Sequence, residues 1–331
     1  MLLSFVLAGC AGDDDAGDDG GGDGDGEVGE PNGTGTGSAT SWPTGILYRD
    51  LTTQRLAAVG STPRTAELQG GGFDLVAGVL AQGDNRDHIL LRPSDGPERS
   101  VAVQGAHHVA RISLDPHAAF AVVQATEGEG QPSLATNDLN AYRVDLATGQ
   151  ATAIGATADN EESTEWSRDG SRIAFASFSP VNGVNLHILD AATLEETRLI
   201  DDAGGLHLSF SRDGSSILES GRLRVYDVET GELRHDLRDE ARAGAVAAGY
   251  DLEDRFPGQA NRGTFPLDGD FSPDGTKLVF DGAVKQGTTS AIIIATMAFD
   301  GTGFEVVAGP FVVDPAETNG LNYSEVNPMW T

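Results

Sequence analysis

After residue 44 the chain is written in short runs in which apolar and polar residues alternate, bounded by Asp, Gly, Ser and Thr. Period-two alternation over such lengths predicts half-buried strands, and the turn-rich boundaries predict hairpins between them. One phrase recurs: "WSRDGSRIAFAS" from Trp166, "FSRDGSSILES" from Phe210 and "FSPDGTKLVFD" from Phe271. Each copy reads aromatic-Ser-x-Asp-Gly followed by a strand. The Asp can bond its own backbone, and the Gly supplies the positive φ that closes a tight turn. A weaker copy, "ISLDPHAAFAVV", aligns Ile112 with the aromatic and puts Pro116 in place of the glycine.

A second phrase follows the first. "AYRVDLATGQATAI" starts at Ala141, "LHILDAATLEETRLI" at Leu186 and "LRVYDVETGELRHDL" at Leu223, with "ILYRDLTTQRLAAV" at Ile46 of the same form. These read strand, Asp-led turn, strand. Two hairpins make four antiparallel strands, and a four-stranded unit of about 40–45 residues is the period of a propeller blade. Asp169 and Asp213 stand 44 residues apart, but Asp213 and Asp274 stand 61 apart, so the excess is an insertion between blades, within residues 239–264. Second-phrase hairpins begin at 46, 88, 141, 186, 223 and 291, and first-phrase strands near 73, 107, 163, 206, 268 and 322. Six blades follow, with seven as the alternative if residues 60–103 divide differently. The strand at Trp330 completes the sheet that begins at Ile46, so the first blade is expected to be closed by both ends of the chain, which hides two strand edges.

The aromatic-Ser-x-Asp-Gly phrase resembles the WD40-like repeat of TolB-type β-propellers. The resemblance covers about residues 44–331, strongly in three blades and faintly in the rest. The Gly-His and Trp-Asp signatures of ordinary WD40 repeats are missing. The resemblance implies an all-β, six-bladed propeller. TolB itself carries an α/β domain ahead of its propeller, where this chain has a different segment.

That segment is acidic. Residues 11–41 hold seven Asp, two Glu and no Lys or Arg, with little to bury, so a disordered tether is expected over 10–43, ahead of the propeller at 44–331. Residues 1–9, "MLLSFVLAG", read as a short export signal, and Leu7-Ala8-Gly9-Cys10 resembles the bacterial lipobox. Cys10 is then the lipidated residue. The resemblance implies a membrane anchor and, with Ala11 rather than Asp after the cysteine, the outer membrane of the cell envelope. No basic residue precedes the apolar run, as an ordinary signal would require. The whole chain carries a formal charge of −30, which repels phosphate backbones and excludes nucleic acid as a partner unless a local basic patch exists.

Within a blade both phrase turns fall on one face of the disc. The long links fall on the other, near 125–139, 179–184, 239–264, 282–290 and 308–322. Long loops on a rigid scaffold are where binding concentrates. The innermost strand of each blade starts on that face beside the axis. Counting back from each aromatic, the polar positions are Glu165, Ser209, Asp270 and Arg111 at one step. Ser163, His207, Asp268 and Asn327 stand at three, and Glu161, His107 and Glu325 at five. The candidate channel-mouth set is therefore His107, Glu161, Glu165, His207, Asp268, Asp270, Glu325 and Asn327. The alternative is a water-filled channel with solvated walls. A second candidate surface is the insert, with Tyr250, Asp251, Asp254, Arg255 and Phe256, suited to a protein contact or to packing on itself. His187 is placed on the surface.

No nucleophile elbow, zinc-protease helix or phosphate-binding loop is present. The expectation is a monomeric, non-catalytic, lipid-anchored envelope protein that binds a protein or peptide partner and needs no cofactor. The rival is a metal-dependent lyase or hydrolase, holding a divalent ion with His107, His207, Asp268 and Glu325.

Overall fold

The computed structural model describes residues 45–50, 55–59, 68, 72–84, 86–128, 139–155, 157, 159–179, 183–203, 207–252, 265–286, 289–312 and 328–330. Cys10, the acidic tract, Asp254, Arg255, Phe256, Glu325 and Asn327 lie outside them.

The described strands form six antiparallel sheets. Blade 1 takes β1 (Ile46–Asp50) and β2 (Arg55–Ala58). Blade 2 comprises β3 (Phe73–Val76), β4 (Val79–Gly83), β5 (His88–Pro93) and β6 (Arg99–Ala102). Blade 3 holds β7 (Ile112–Leu114), β8 (Phe120–Thr126), β9 (Leu139–Asp145) and β10 (Ala151–Ala153). Blade 4 holds β11 (Asn160–Trp166), β12 (Arg172–Ser179), β13 (Gly183–Asp190) and β14 (Glu196–Ile200). Blade 5 holds β15 (Leu208–Phe210), β16 (Ser216–Glu219), β17 (Arg224–Asp227) and β18 (Leu233–Asp236), followed by helix α1 (Arg238–Ala247). Blade 6 holds β19 (Asp251–Leu252), β20 (Gly269–Phe271), β21 (Lys277–Gln286), β22 (Thr289–Ala298) and β23 (Glu305–Val312). The last strand, β24 (Met329–Trp330), pairs with β1, Ile46 opposite Trp330 and Leu47 opposite Met329.

The sheets stand around an axis because each is apolar on both faces. Successive inner strands pack on one another in the order β3, β7, β11, β15, β20 and β24. A separate apolar cluster fills each of the six blade interfaces among the described residues. One joins blade 6 to blade 1 through Ile46, Val279 and Ile292, and another joins blade 1 to blade 2 through Leu47, Phe73 and Met329. An open fan of six sheets would have five such interfaces, so the sixth closes the ring. This is the six-bladed, all-β propeller expected from the repeat, and the seven-blade alternative falls.

The repeated phrases work as hydrogen-bonded cassettes. In the first, Ser167 Oγ donates to Asp169 (2.6 Å), Ser171 N–H donates to the same carboxylate (3.0 Å), and Arg172 N–H returns to Ser167 Oγ (2.9 Å). The copies at Ser211–Asp213 and Ser272–Asp274 repeat the arrangement. Gly170, Gly214 and Gly275 take φ of +77°, +69° and +68°, which an L side chain adopts only under strain. In the second phrase Asp145, Asp190 and Asp227 each accept two backbone N–H bonds. The Thr230 N–H holds the Asp227 carboxyl down at about 2, and the Ser272 hydroxyl of the first phrase does the same for Asp274.

Two long links differ from expectation. Residues 282–286 and 289–290 extend the β21–β22 hairpin rather than looping out. The insert after blade 5 begins as α1, whose Ala241 and Ala245 are buried in the interface with blade 6. The stretch "RDEARAGAVA" offers small residues four apart, and these let a helix lie close against the sheet.

Candidate functional site on the propeller axis

The turns set the register of the inner strands. Asp115, Ser167, Ser211 and Ser272 each donate a backbone N–H to the first residue of the next strand: Phe120 (3.1 Å), Arg172, Ser216 and Lys277 (each 2.9 Å). Asp115 therefore stands where the repeat has serine, and Leu114, not Ile112, matches Trp166. The expected alignment of that blade is two residues out. The pattern "ISLD" hid this because Ser113 mimics the repeat serine. Arg111 consequently sits one level farther from the turns, beside Ser163, His207 and Asp268.

Two polar levels surround an axial cavity of about 90 Å³. The outer level presents Arg111, Ser163, His207 and Asp268, and the inner level Asp74, Glu165, Ser209 and Asp270. Arg168, the variable residue of its Ser-x-Asp-Gly turn, also reaches the cavity from the turn side. The structure thus brings together four of the expected residues, Glu165, His207, Asp268 and Asp270. It adds Asp74, Arg111 and Arg168.

The outer level is centred on Asp268, which is 4% exposed and contacts His207 Nδ1 and, at 3.6 Å, Arg111 Nη2. Behind it, on β21, lies Asp281, which accepts the Asp268 N–H at 2.8 Å. Burial, and then the Asp268 charge, push the Asp281 carboxyl well above the usual range.

The inner level also latches blade to blade. Asp74 accepts the N–H of Leu114 (2.7 Å), Ser113 Oγ that of Trp166 (3.0 Å) and Asp270 that of Trp330 (2.9 Å). Ser209 Oγ donates to Asp270 as well. Arg168 Nη1 lies 3.4 Å from Asp74 Oδ1. Burial opposes its charge, and the carboxylates of Asp74, Asp270 and Glu165 more than offset that, raising its pKa. Glu165 is driven the other way for a carboxylate: burial first, then the charges of Asp74 and Asp270, raise its pKa well above the usual value despite Arg168. Burial raises Asp270 too. The cavity is thus a nest of carboxylates with incomplete counter-charge, in which burial raises the proton affinity of Glu165 and Asp270.

Two expected members stand elsewhere. His107 pairs with Thr126 as a β-bridge and places Nδ1 3.0 Å from Asp87 Oδ1, away from the cavity. Its removal follows from the same two-residue shift of register. Glu161 is fully buried between blades 3 and 4, accepting the N–H groups of Ala141 (2.9 Å) and Thr157 (2.7 Å). Here the alternation breaks. Ser163 has φ +52°, and the pairing of β11 with β12 shifts between Glu162 and Glu165, so residues before the bulge turn to the other side. With His107 elsewhere, the proposed metal ligands do not converge. Among the described residues no group of three His, Cys, Asp or Glu side chains is arranged to hold a metal ion.

His187 is buried rather than on the surface. Its Nε2 lies 2.9 Å from Ser177 Oγ, its Nδ1 2.6 Å from Glu196, and its ring stacks on Phe175. The order Ser-His-carboxylate resembles a hydrolytic relay. Ser177 is only 2% exposed, however, inside a sheet face packed against its neighbour, so it offers no attacking position to a substrate. The group is a polar tie across β12, β13 and β14.

In the insert, Tyr250 and Leu252 are half-buried against the blade 5–6 cluster, while Asp251 is exposed. Of the residues expected to contact a partner there, Tyr250 packs inward. Among the described residues no helix is long and apolar enough to cross a membrane.

No protein-family model and no curated protein matches the chain. Solved structures do. A TolB from Agrobacterium tumefaciens is similar at 15% identity with a TM-score of 0.54, over 82% of this chain and 91% of that one. TolB from Acinetobacter baumannii is similar at 18% identity and TM-score 0.54, over 88% and 67% of the two chains. A chain of a nidogen/laminin complex is similar at 12% identity and TM-score 0.53, over 81% and 94%. At these identities the likeness is one of fold alone, that of the β-propeller.

Proposed function

We propose that this protein is a non-catalytic, lipid-anchored protein of the cell envelope whose propeller binds a protein or peptide partner through the face of the long links, with the axial cavity receiving a basic group of that partner. The observation that carries the reading is the convergence of Asp74, Glu165, Asp268 and Asp270 from three blades on one small cavity, against only Arg111 and Arg168 in permanent positive charge. A lysine side chain or a free amino terminus offers the missing counter-charge. The solved structures of similar fold include a TolB and a chain named as part of a protein complex, which suits a binding role. Lipid anchoring rests on the sequence around Cys10.

Because Glu165 and Asp270 hold protons more tightly than free carboxyls, a bound cation drives those protons off. Affinity should therefore rise with pH between 5 and 8. Calorimetry with an oligolysine-containing peptide tests this in two buffers of different ionisation heat. Binding with proton release, weakened by Glu165→Gln, supports the reading. Pronounced pH independence, or unchanged affinity in that variant, overturns it. Cys10→Ser should move the full chain from the membrane to the soluble fraction, and retention in the membrane would remove the anchor.

A further inference from the structure

The other mouth of the axis lies on the side of the Ser-x-Asp-Gly turns. It opens as a vestibule of about 350 Å³, within the size range of small-molecule and peptide-end sites. Its construction follows from the repeat. The core position of five of the six inner strands supplies the wall: Leu75, Leu114, Phe210, Phe271 and Trp330. Two residues farther on, the variable position of each turn supplies the lip: Ala77, Pro116, Arg168, Arg212 and Pro273. The constant Ser, Asp and Gly of the phrase are spent on closing the turn. The residue between them is free to vary and points at the axis.

The lip is basic although the protein is strongly acidic. Arg168 is held by the carboxylates beneath it. Arg212 is exposed and makes no ion pair or hydrogen bond with any described residue. The neighbouring turn carboxylates, Asp169, Asp213 and Asp274, do not line the vestibule, because each is folded back on its own Ser hydroxyl and backbone N–H. Asp270, on the floor, has its oxygens committed to Ser209, Phe271 and Trp330. An apolar, partly aromatic cup with one uncommitted guanidinium at its rim is complementary to an apolar group that carries a carboxylate.

The geometry points to this vestibule as a second binding site, distinct from the long-link face, that takes an apolar carboxylate such as the free C-terminal residue of a peptide, with Arg212 pairing its carboxylate. The site stands on its own residues and does not depend on what binds the opposite mouth.

Calorimetry at low salt tests it with a pentapeptide ending in Leu-Phe, the same peptide as its C-terminal amide, and N-acetyl-phenylalanine. The free acid should bind, with the amide about tenfold weaker or more, since one charge-assisted hydrogen-bonded pair is lost. Arg212→Ala should cost the acid a similar factor and leave the melting temperature unchanged. Pro273→Arg places in blade 6 the residue that two other copies of the turn already carry, and it should tighten the acid and not the amide. Equal affinity of the peptide and N-acetyl-phenylalanine identifies a free carboxylate as sufficient, and tighter peptide binding identifies a chain end; both support the site. No heat with the acid at millimolar concentration, equal affinity for acid and amide, or indifference to Arg212→Ala overturns it.

Discussion

Arg168→Met removes the cation that Asp74, Glu165 and Asp270 share. The Nη1–Oδ1 separation of 3.4 Å to Asp74 corresponds to about 5 kcal/mol for one pair at an effective dielectric constant of 20. The Arg168 side chain is 28% exposed, and the variant no longer buries a guanidinium, so the net loss is smaller, about 3 kcal/mol at pH 8. For a domain of this size that lowers the melting temperature by about 6–12 °C. The sign of the pH dependence is fixed by the carboxyls left behind. Glu165 and Asp270 already have raised folded-state pKa values. Without Arg168 they rise further. A carboxyl with a raised folded pKa favours the folded state fully below its unfolded value and loses that contribution as pH climbs through the folded one. The deficit of Arg168→Met should therefore be large at pH 8 and shrink toward pH 5, as Glu165 and Asp270 take up protons. Arg168→Lys should recover part of it. Thermal denaturation followed by circular dichroism at pH 5, 6.5 and 8 is the assay. An equal loss at all three values, or a loss under 2 °C at pH 8, would refute the counter-charge role.

Gly214→Val forces a β-branched residue to φ +69° and brings its Cβ to 3.2 Å from Asp169 Oδ2, so a loss of about 1–2 kcal/mol is expected by chemical denaturation. Gly275→Val has the same backbone demand and open space around its Cβ, and should cost less; an equal loss would remove the Asp169 contact from the account. Ser113→Ala leaves the Trp166 N–H without its acceptor inside an interface, at a cost of about 1–3 kcal/mol in urea unfolding, and a loss below 0.5 kcal/mol would exclude the latch. Glu219 is fully buried and burial lifts its carboxyl to about 8, so Glu219→Gln should gain on the parent as pH rises from 5 to 9, by up to about 4–5 kcal/mol, while a pH-independent difference would contradict the buried acid.

The blades were legible because their determinants are local. A Ser-x-Asp-Gly cassette bonds within six residues, and period two survives in any strand that is buried between neighbours. Strands expected near 73, 163, 206 and 268 begin at Phe73, Asn160, Leu208 and Gly269. Half of the channel set was legible for the same reason: Glu165 and Asp270 lie one step from a clear aromatic, and His207 and Asp268 three steps. His107 and Glu161 were misplaced by two irregularities that alternation cannot register, the Ser113 mimic and the bulge at Ser163. Arg168 and Arg212 were in plain view at the one position of the phrase that varies, but only the closed ring turns that position toward an axis.

The chain by itself thus determined how many hairpins there are, where they turn and which residues keep the turns closed, since these depend on contacts a few residues apart. The tertiary structure alone decided which polar side chains meet. Asp74 and Arg168 are 94 residues apart, and only the closure of the blades around an axis, driven by the apolar interfaces between them, brings them together.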